Sequence, residues 1–199
     1  MSATQTIFSF SMSYQITTRT FSDLKEVLMS PESLGTDEQK QPAYYVCRGP
    51  EESGMLGPNI TILPPWKVGQ ELAKTYGHYH VHGEQERYKI LMGRALCLMQ
   101  KLGSDGTNVE EIRAVVANES CFIEVPSDFG HLLVNIGSGL LVAADWEPVS
   151  SSHLYDQIKD KRGLAYYIIN DSGELTAVPN ALYHNVPKLV WEYLDIEDS

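Results

Sequence analysis

The sequence predicts a mainly all-β chain, folded as an antiparallel jelly-roll β-barrel with a few short helices at its periphery. Short runs rich in Val, Ile, Tyr and Leu recur through the middle of the chain, with turn residues between them about every 8–12 positions. Fifteen glycines and ten prolines punctuate these runs too often for a helical bundle. A length of 199 residues suits one domain with a sizeable core.

Taken in order, residues 13–21 (SYQITTRTF) alternate as a strand does. Ser22-Asp23 then reads as a helix start, with Leu24, Val27 and Leu28 at helical spacing and Pro31 ending it. The polar stretch 32–41 predicts a loop, 43–48 a short strand and 51–59 a turn-rich connection. Runs 60–63 and 70–75 flank PPWKVGQ, whose prolines place it at a bend or a sheet edge. Strands are then expected at 86–92, 94–101, 109–116, 121–125, 131–136 and 139–146, joined by Gly93, a GSDGTN turn at 103–108, Asn118, Ser127-Asp128 and GSG at 137–139. Beyond Pro148, residues 153–161 predict a short helix and 165–169 with 175–178 a hairpin. Residues 188–196 read as a strand or a docked helix. The chain thus divides into an N-terminal arm, 1–42 (strand plus short helix), packing on a single barrel domain, 43–199, with a C-terminal extension. The strand at 13–21, lying outside the barrel, is expected to cross a homodimer interface and close a sheet edge.

A formal net charge of −11 with scattered Lys and Arg excludes a nucleic-acid surface, and any anionic substrate needs local donors. No apolar run approaches the roughly 18 residues of a membrane span. The segment MSATQTIFSFSMSYQ lacks the basic start of a signal peptide. Cys47, Cys97 and Cys121, odd in number and set in apolar runs, read as free thiols in a reducing cytoplasm.

Chemistry concentrates in TYGHYHVHGEQERYKILMG, residues 75–93. His78 and His80 sit two apart, so on a strand both imidazoles aim at one spot. A turn at Gly83 brings Glu86 back beside them, with Tyr88 on the same face as Glu86. A third histidine, His131, lies in PSDFGHLLVN at 126–135. Imidazoles and a carboxylate suit a divalent transition metal and leave positions open for a substrate. His82, near these residues but outside their pattern, reads as an exposed loop residue, and Lys67 as a solvated edge lysine.

These stretches resemble the two signature motifs of the cupin superfamily, H-x-H-x(3–6)-E-x(6)-G and P-x(4)-H-x(3)-N. The second carries Ser120 and Asp128 where glycines are usual, both at turns. The wider pattern is similar to the cupin-type glucose-6-phosphate isomerases over about residues 41–180. It comprises Thr61-Ile-Leu-Pro-Pro-Trp-Lys-Val-Gly-x-Glu71, Thr75-x-Gly77-His78-x-His80, Glu86-x-Tyr88, Gln100, His131-x3-Asn135-Ile-Gly137 and His153-x-Tyr155.

The resemblance implies His78, His80, Glu86 and His131 as ligands of one divalent metal ion per subunit, Fe2+ first, with Mn2+, Ni2+ and Zn2+ also suited. It implies Thr61, Thr75, Gly77, Tyr88, His153 and Tyr155 as lining a sugar-phosphate pocket, with Tyr45 as a looser match. It implies Glu86 as the carboxylate that carries a proton between neighbouring carbons during aldose–ketose isomerisation. A metal-assisted hydride shift is a competing mechanism, and the same ligands also serve dioxygenases, decarboxylases and non-catalytic sugar-binding cupins. Two departures stand out: five residues rather than six separate His80 from Glu86, and Glu147 precedes Pro148 where the family commonly has tyrosine.

Overall fold

The computed structural model describes residues 14–52, 54–81, 84–148 and 152–194; the expectations for His82 and Gly83 lie outside them. Its long strands are β1 (Gln15–Thr20), β2 (Pro42–Arg48), β3 (Met55–Leu63), β4 (Glu86–Met92), β5 (Arg94–Leu102), β6 (Val109–Asn118), β7 (Phe122–Val125), β8 (Phe129–Asn135), β9 (Leu141–Pro148), β10 (Tyr166–Asp171), β11 (Glu174–Pro179) and β12 (Val190–Leu194). The α-helices are one-turn α1 (Phe21–Leu24) and α2 (Asp156–Asp160).

One antiparallel sheet runs β1-β2-β3-β9-β4-β7, with the two-residue strand Glu51–Glu52 beside β3. A second runs β8-β5-β6-β12, antiparallel except that β12 lies parallel to β6. The tail is therefore a strand rather than a docked helix. The β10–β11 hairpin joins Glu71–Leu72 and Lys67–Val68 in a smaller sheet. The barrel strands from β4 to β9 form where the spacing of apolar runs and turns placed them, within about two residues. On β4, Glu86, Tyr88 and Ile90 point inward while Arg87 is exposed. Gly93 makes the β4–β5 turn with φ +86°, and a Cβ there would come within 2.4 Å of the Leu140 carbonyl oxygen, so only glycine fits. Ser120 occupies a left-handed position, φ 76°, where the superfamily pattern has glycine.

Three local expectations are revised. β3 begins at Met55, inside the stretch read as a connection, because its backbone pairs with both Glu51–Glu52 and the end of β9. α1 is capped by Thr20 instead of Ser22: the Thr20 hydroxyl accepts from Asp23 N while Asp23 Oδ2 accepts from Thr20 N at 2.7 Å. Residues 153–161 are not one helix. His153–Leu154 form a short strand against Tyr79–His80, and α2 starts only at Asp156.

The arm joins the same chain's sheet, since β1 pairs along its length with β2. Leu24, Val27 and Leu28 behind it are fully buried, each worth roughly 1.5–3 kcal/mol of burial. A buried ion pair, Lys74 Nζ to Glu71 Oε1 at 2.7 Å, pins the arm further. Lys74 also donates to the Val27 carbonyl, and Glu71 Oε2 accepts from Met29 N at 2.7 Å. Lys74→Met strands the Glu71 carboxylate in the interior without its cation. The expected loss, read by urea unfolding, is about 3–5 kcal/mol, with Glu71→Gln/Lys74→Met less impaired. A single-variant loss below about 1 kcal/mol would contradict the pinning role.

Candidate active site

Backbone pairing builds the site. His78 and His131 exchange both of their peptide hydrogen bonds, His78 N to His131 O at 3.1 Å and His131 N to His78 O at 3.0 Å, which sets their side chains side by side. Close approach of the two segments requires Gly77, whose φ is +85° and whose Cβ would sit 3.0 Å from the His131 carbonyl oxygen. The pairing of His153 with His80 carries a fourth imidazole to the same place. β4 delivers Glu86, and the β4–β9 pairing of Tyr88 with Asp145 delivers an acidic neighbour.

Four ligand-type atoms, one each from His78, His80, Glu86 and His131, lie within 4.8 Å of one another. Three imidazole nitrogens converge on a single oxygen, Glu86 Oε2: His131 Nε2 at 2.9 Å, His80 Nε2 at 3.0 Å and His78 Nε2 at 3.3 Å. His78 Nε2 is buried and makes no well-aligned hydrogen bond there. One carboxylate oxygen is a poor common partner for three nitrogens, whereas a divalent ion among them suits every donor. The donor set therefore fits a metal.

Of the pocket residues expected, Thr61, Thr75, Gly77, Tyr88, His153 and Tyr155 all line the cavity with His78, Glu86 and His131. Thr75 Oγ1 accepts from Leu133 N at 3.0 Å, so its hydroxyl proton can point to a ligand. Tyr88 OH lies 3.1 Å from His131 Nε2. His153 lies between two groups, Nδ1 3.2 Å from Tyr155 OH and Nε2 3.0 Å from Glu147 Oε2, the latter without a well-aligned hydrogen bond. The expectation for Tyr45 is corrected: Tyr44, Val46 and Arg48 line the cavity, and strand alternation turns Tyr45 to the other face of β2. Asn135, in the second motif, does not line the cavity; its amide donates to Leu63 O and Gly139 O, each at 2.8 Å, and holds the turn after β8.

Sequence reasoning also missed Tyr76, Arg48 and Asp145. Parity along β2 would have found Arg48 once Tyr44 was chosen over Tyr45. Glu147, the departure from the family pattern, is integrated rather than stranded. Arg48 Nη1 donates to it at 2.6 Å, Asn59 Nδ2 at 3.1 Å, and His153 reaches its other oxygen. Asn59 Nδ2 also donates to Asp145 Oδ1 at 2.9 Å, so the two acids share one amide.

Burial pushes His78 down to about 3, assisted by the charge of His131, which leaves a neutral imidazole suited to ligation. Burial works to raise Glu86, but the charge of His131 and hydrogen bonds from His131, His78 and His80 hold it well below the usual carboxylate range. For Glu147 burial is likewise outweighed, here by His153 and Arg48, and the net direction is down. Asp145 goes the opposite way, pushed up to about 8 by burial and then by the Glu86 charge. Burial, with Glu86 nearby, also keeps the Tyr88 hydroxyl protonated.

A three-histidine, one-carboxylate cluster inside an antiparallel jelly-roll barrel defines a cupin with a candidate metal site. The chain belongs to the glucose-6-phosphate isomerase family, whose model, "Glucose-6-phosphate isomerase (GPI)", matches residues 18–185. It is 29% identical over 166 residues to the glucose-6-phosphate isomerase of Thermococcus onnurineus, spanning 81% of this chain and 84% of the relative. The corresponding enzyme of Pyrococcus horikoshii is 28% identical over 172 residues, 84% of this chain and 87% of the relative. Among solved structures, Bacillus subtilis oxalate decarboxylase is 18% identical with a TM-score of 0.42, over 57% of this chain and 29% of that one. That likeness is too distant to bear on fold or function. The chain is accordingly an isomerase of the cupin-type family.

Asp145 gives the metal-free site a pH signature. A carboxyl whose folded pKa exceeds its unfolded value binds its proton more tightly when folded. Its contribution to stability is full below the unfolded value of 3.8 and is lost as pH rises through about 8. In metal-free protein, the melting temperature of Asp145→Asn should therefore gain on wild type from pH 5 to pH 8. A difference that stays flat across that range would contradict the buried, protonated assignment.

Proposed function

We propose that the chain interconverts glucose 6-phosphate and fructose 6-phosphate in this cavity, with one divalent metal ion per subunit held by His78, His80, Glu86 and His131. The observation that carries the reading is the convergence of three imidazoles on Glu86 Oε2 inside a chain of this family. Fe2+ is the proposed ion, and Mn2+, Ni2+ or Zn2+ suit the same donors. Bound there, the ion would stabilise negative charge developing on the sugar's carbonyl and hydroxyl oxygens.

The chain's own residues supply the rest. Glu86, held ionised, takes the proton from C2 of the open-chain aldose and returns it to C1, while the proton of the C2 hydroxyl passes to the C1 oxygen, so that the enediolate closes to the ketose. Glu86 would serve both as a ligand of that ion and as the proton carrier, two roles that a loosened metal–carboxylate contact would reconcile. Tyr88, protonated and next to Glu86, and His153, set between Tyr155 and Glu147, orient the sugar oxygens. The hydroxyls of Thr61, Thr75 and Tyr155 and the Gly77 amide receive the phosphate end. Tyr44 takes the place expected of Tyr45. We further propose a homodimer joined through the β1 edge, with residues 1–42 serving a barrel of 43–199, working in the cytoplasm. No helix among the described residues is long and apolar enough to cross a membrane.

Glu86→Gln keeps side-chain size and a neutral oxygen while removing basicity. Its kcat should fall about 10²–10⁴-fold with metal content unchanged, measured by coupled assay and metal analysis on one preparation. A metal-replete Glu86→Gln protein turning over at wild-type rate would remove the base role and leave the hydride shift as the better account.

A further inference from the structure

The cavity is lined by hydroxyls, imidazoles and carboxylates but, among its described residues, by one cation, Arg48, and Glu147 already holds that guanidinium at 2.6 Å. A dianionic phosphate entering a chain of net charge −11 still lacks a free positive partner. We propose that Arg19, on β1 of the N-terminal arm, is the cation that binds the substrate's phosphate at the cavity mouth. The inference rests on the sugar-phosphate reading of the site and adds to it a residue outside the barrel motifs.

Three features place Arg19 there. First, Arg19 and Arg48 line a common hollow that shares Tyr44, Val46, Arg48 and Tyr155 with the cavity, so the two spaces adjoin across those four residues. Second, the guanidinium is held by tyrosines of the cavity wall. Its central carbon lies 5.8 Å from the Tyr76 ring centroid and 5.7 Å from that of Tyr155, and it faces the Tyr44 hydroxyl. Third, among the described residues no carboxylate lies within 4.0 Å to pair with it. Asp23, which also lines the hollow, has Oδ2 occupied by Thr20, and Arg19 is the least of the influences that lower it.

An arginine stacked on aromatic rings, with no ion pair, keeps its donor fork for an incoming oxyanion. Glu86 and the clustered histidines engage the carbonyl end of the sugar, so the chain's far end, carrying the phosphate, extends toward Tyr155 and Arg19. The arm is then part of the binding site, in keeping with the pairing of β1 along β2 and the capping box at its end.

The test compares metal-loaded wild type, Arg19→Gln and Arg19→Lys by calorimetry with fructose 6-phosphate, inorganic phosphate and fructose, alongside isomerase assays. Arg19→Gln should weaken fructose 6-phosphate and phosphate about 10- to 100-fold, the loss of one charge-assisted contact, and leave fructose unchanged. Arg19→Lys, keeping charge without the fork, should fall between. A purely structural Arg19 would lower the melting temperature and weaken all three ligands alike, or none, and either result overturns the proposal. So does a wild type that binds no phosphate. Arg19-dependent phosphate binding without isomerase turnover would support the proposal while sinking the isomerase reading. Normal turnover with unchanged KM in Arg19→Gln would do the reverse.

Discussion

The structure depends on the placement of one carboxylate, Glu86, inside a β-barrel at the meeting point of three imidazoles. An ionised acid in such an interior is strongly disfavoured unless it is surrounded by donors or by a cation. Here the donors arrive through backbone pairing: the reciprocal His78–His131 bonds and the Tyr79–His80 pairing with His153–Leu154. Side-chain geometry at the centre is therefore a consequence of sheet register, and a one-residue slip of β4 or β8 would turn Glu86 or His131 out of the barrel.

Around that centre the charges are arranged in layers. Glu86 is ionised, Asp145 behind it keeps its proton, and Glu147 further out is ionised against Arg48 and His153. Asn59 links the two outer acids through one amide group. Glu147 stands where the family commonly has tyrosine, and the Arg48 pairing gives a physical reason why an acid is tolerated there. The substitution changes the chemistry of one wall while the ligand set stays the same.

Much of this was legible in the sequence, for identifiable reasons. β4 and β7 alternate buried with more exposed residues, whereas β5 and β8 are buried nearly throughout, so those strands were legible as apolar runs between glycine or Asp/Asn turns rather than by alternation. The H-x-H pair, Glu86 and His131 stood out because few other functions require those residues at those separations. What the sequence hid was tertiary. Tyr44 and Tyr45 are adjacent and chemically alike, and only the pairing of β2 with β3 decides which faces the cavity. His153 was named as a pocket residue through the resemblance, but its two-residue strand is too short to carry a periodic signal and was read as helix. Asp145 and Arg48 are ordinary charges until the sheet brings them to the cavity that Glu86 lines, and the arm's helix start was misplaced by two residues because Ser22 and Thr20 both suit an N-cap.

The central claim is that a metal held at the histidine–Glu86 cluster carries sugar-phosphate isomerisation. It is tested most directly by following conversion of fructose 6-phosphate to glucose 6-phosphate before chelation, after it, and after adding back Fe2+ or Mn2+. The account predicts activity lost on metal removal and restored by the divalent ion, with the fold unchanged by circular dichroism. Full activity in protein shown by elemental analysis to be free of metal would contradict it.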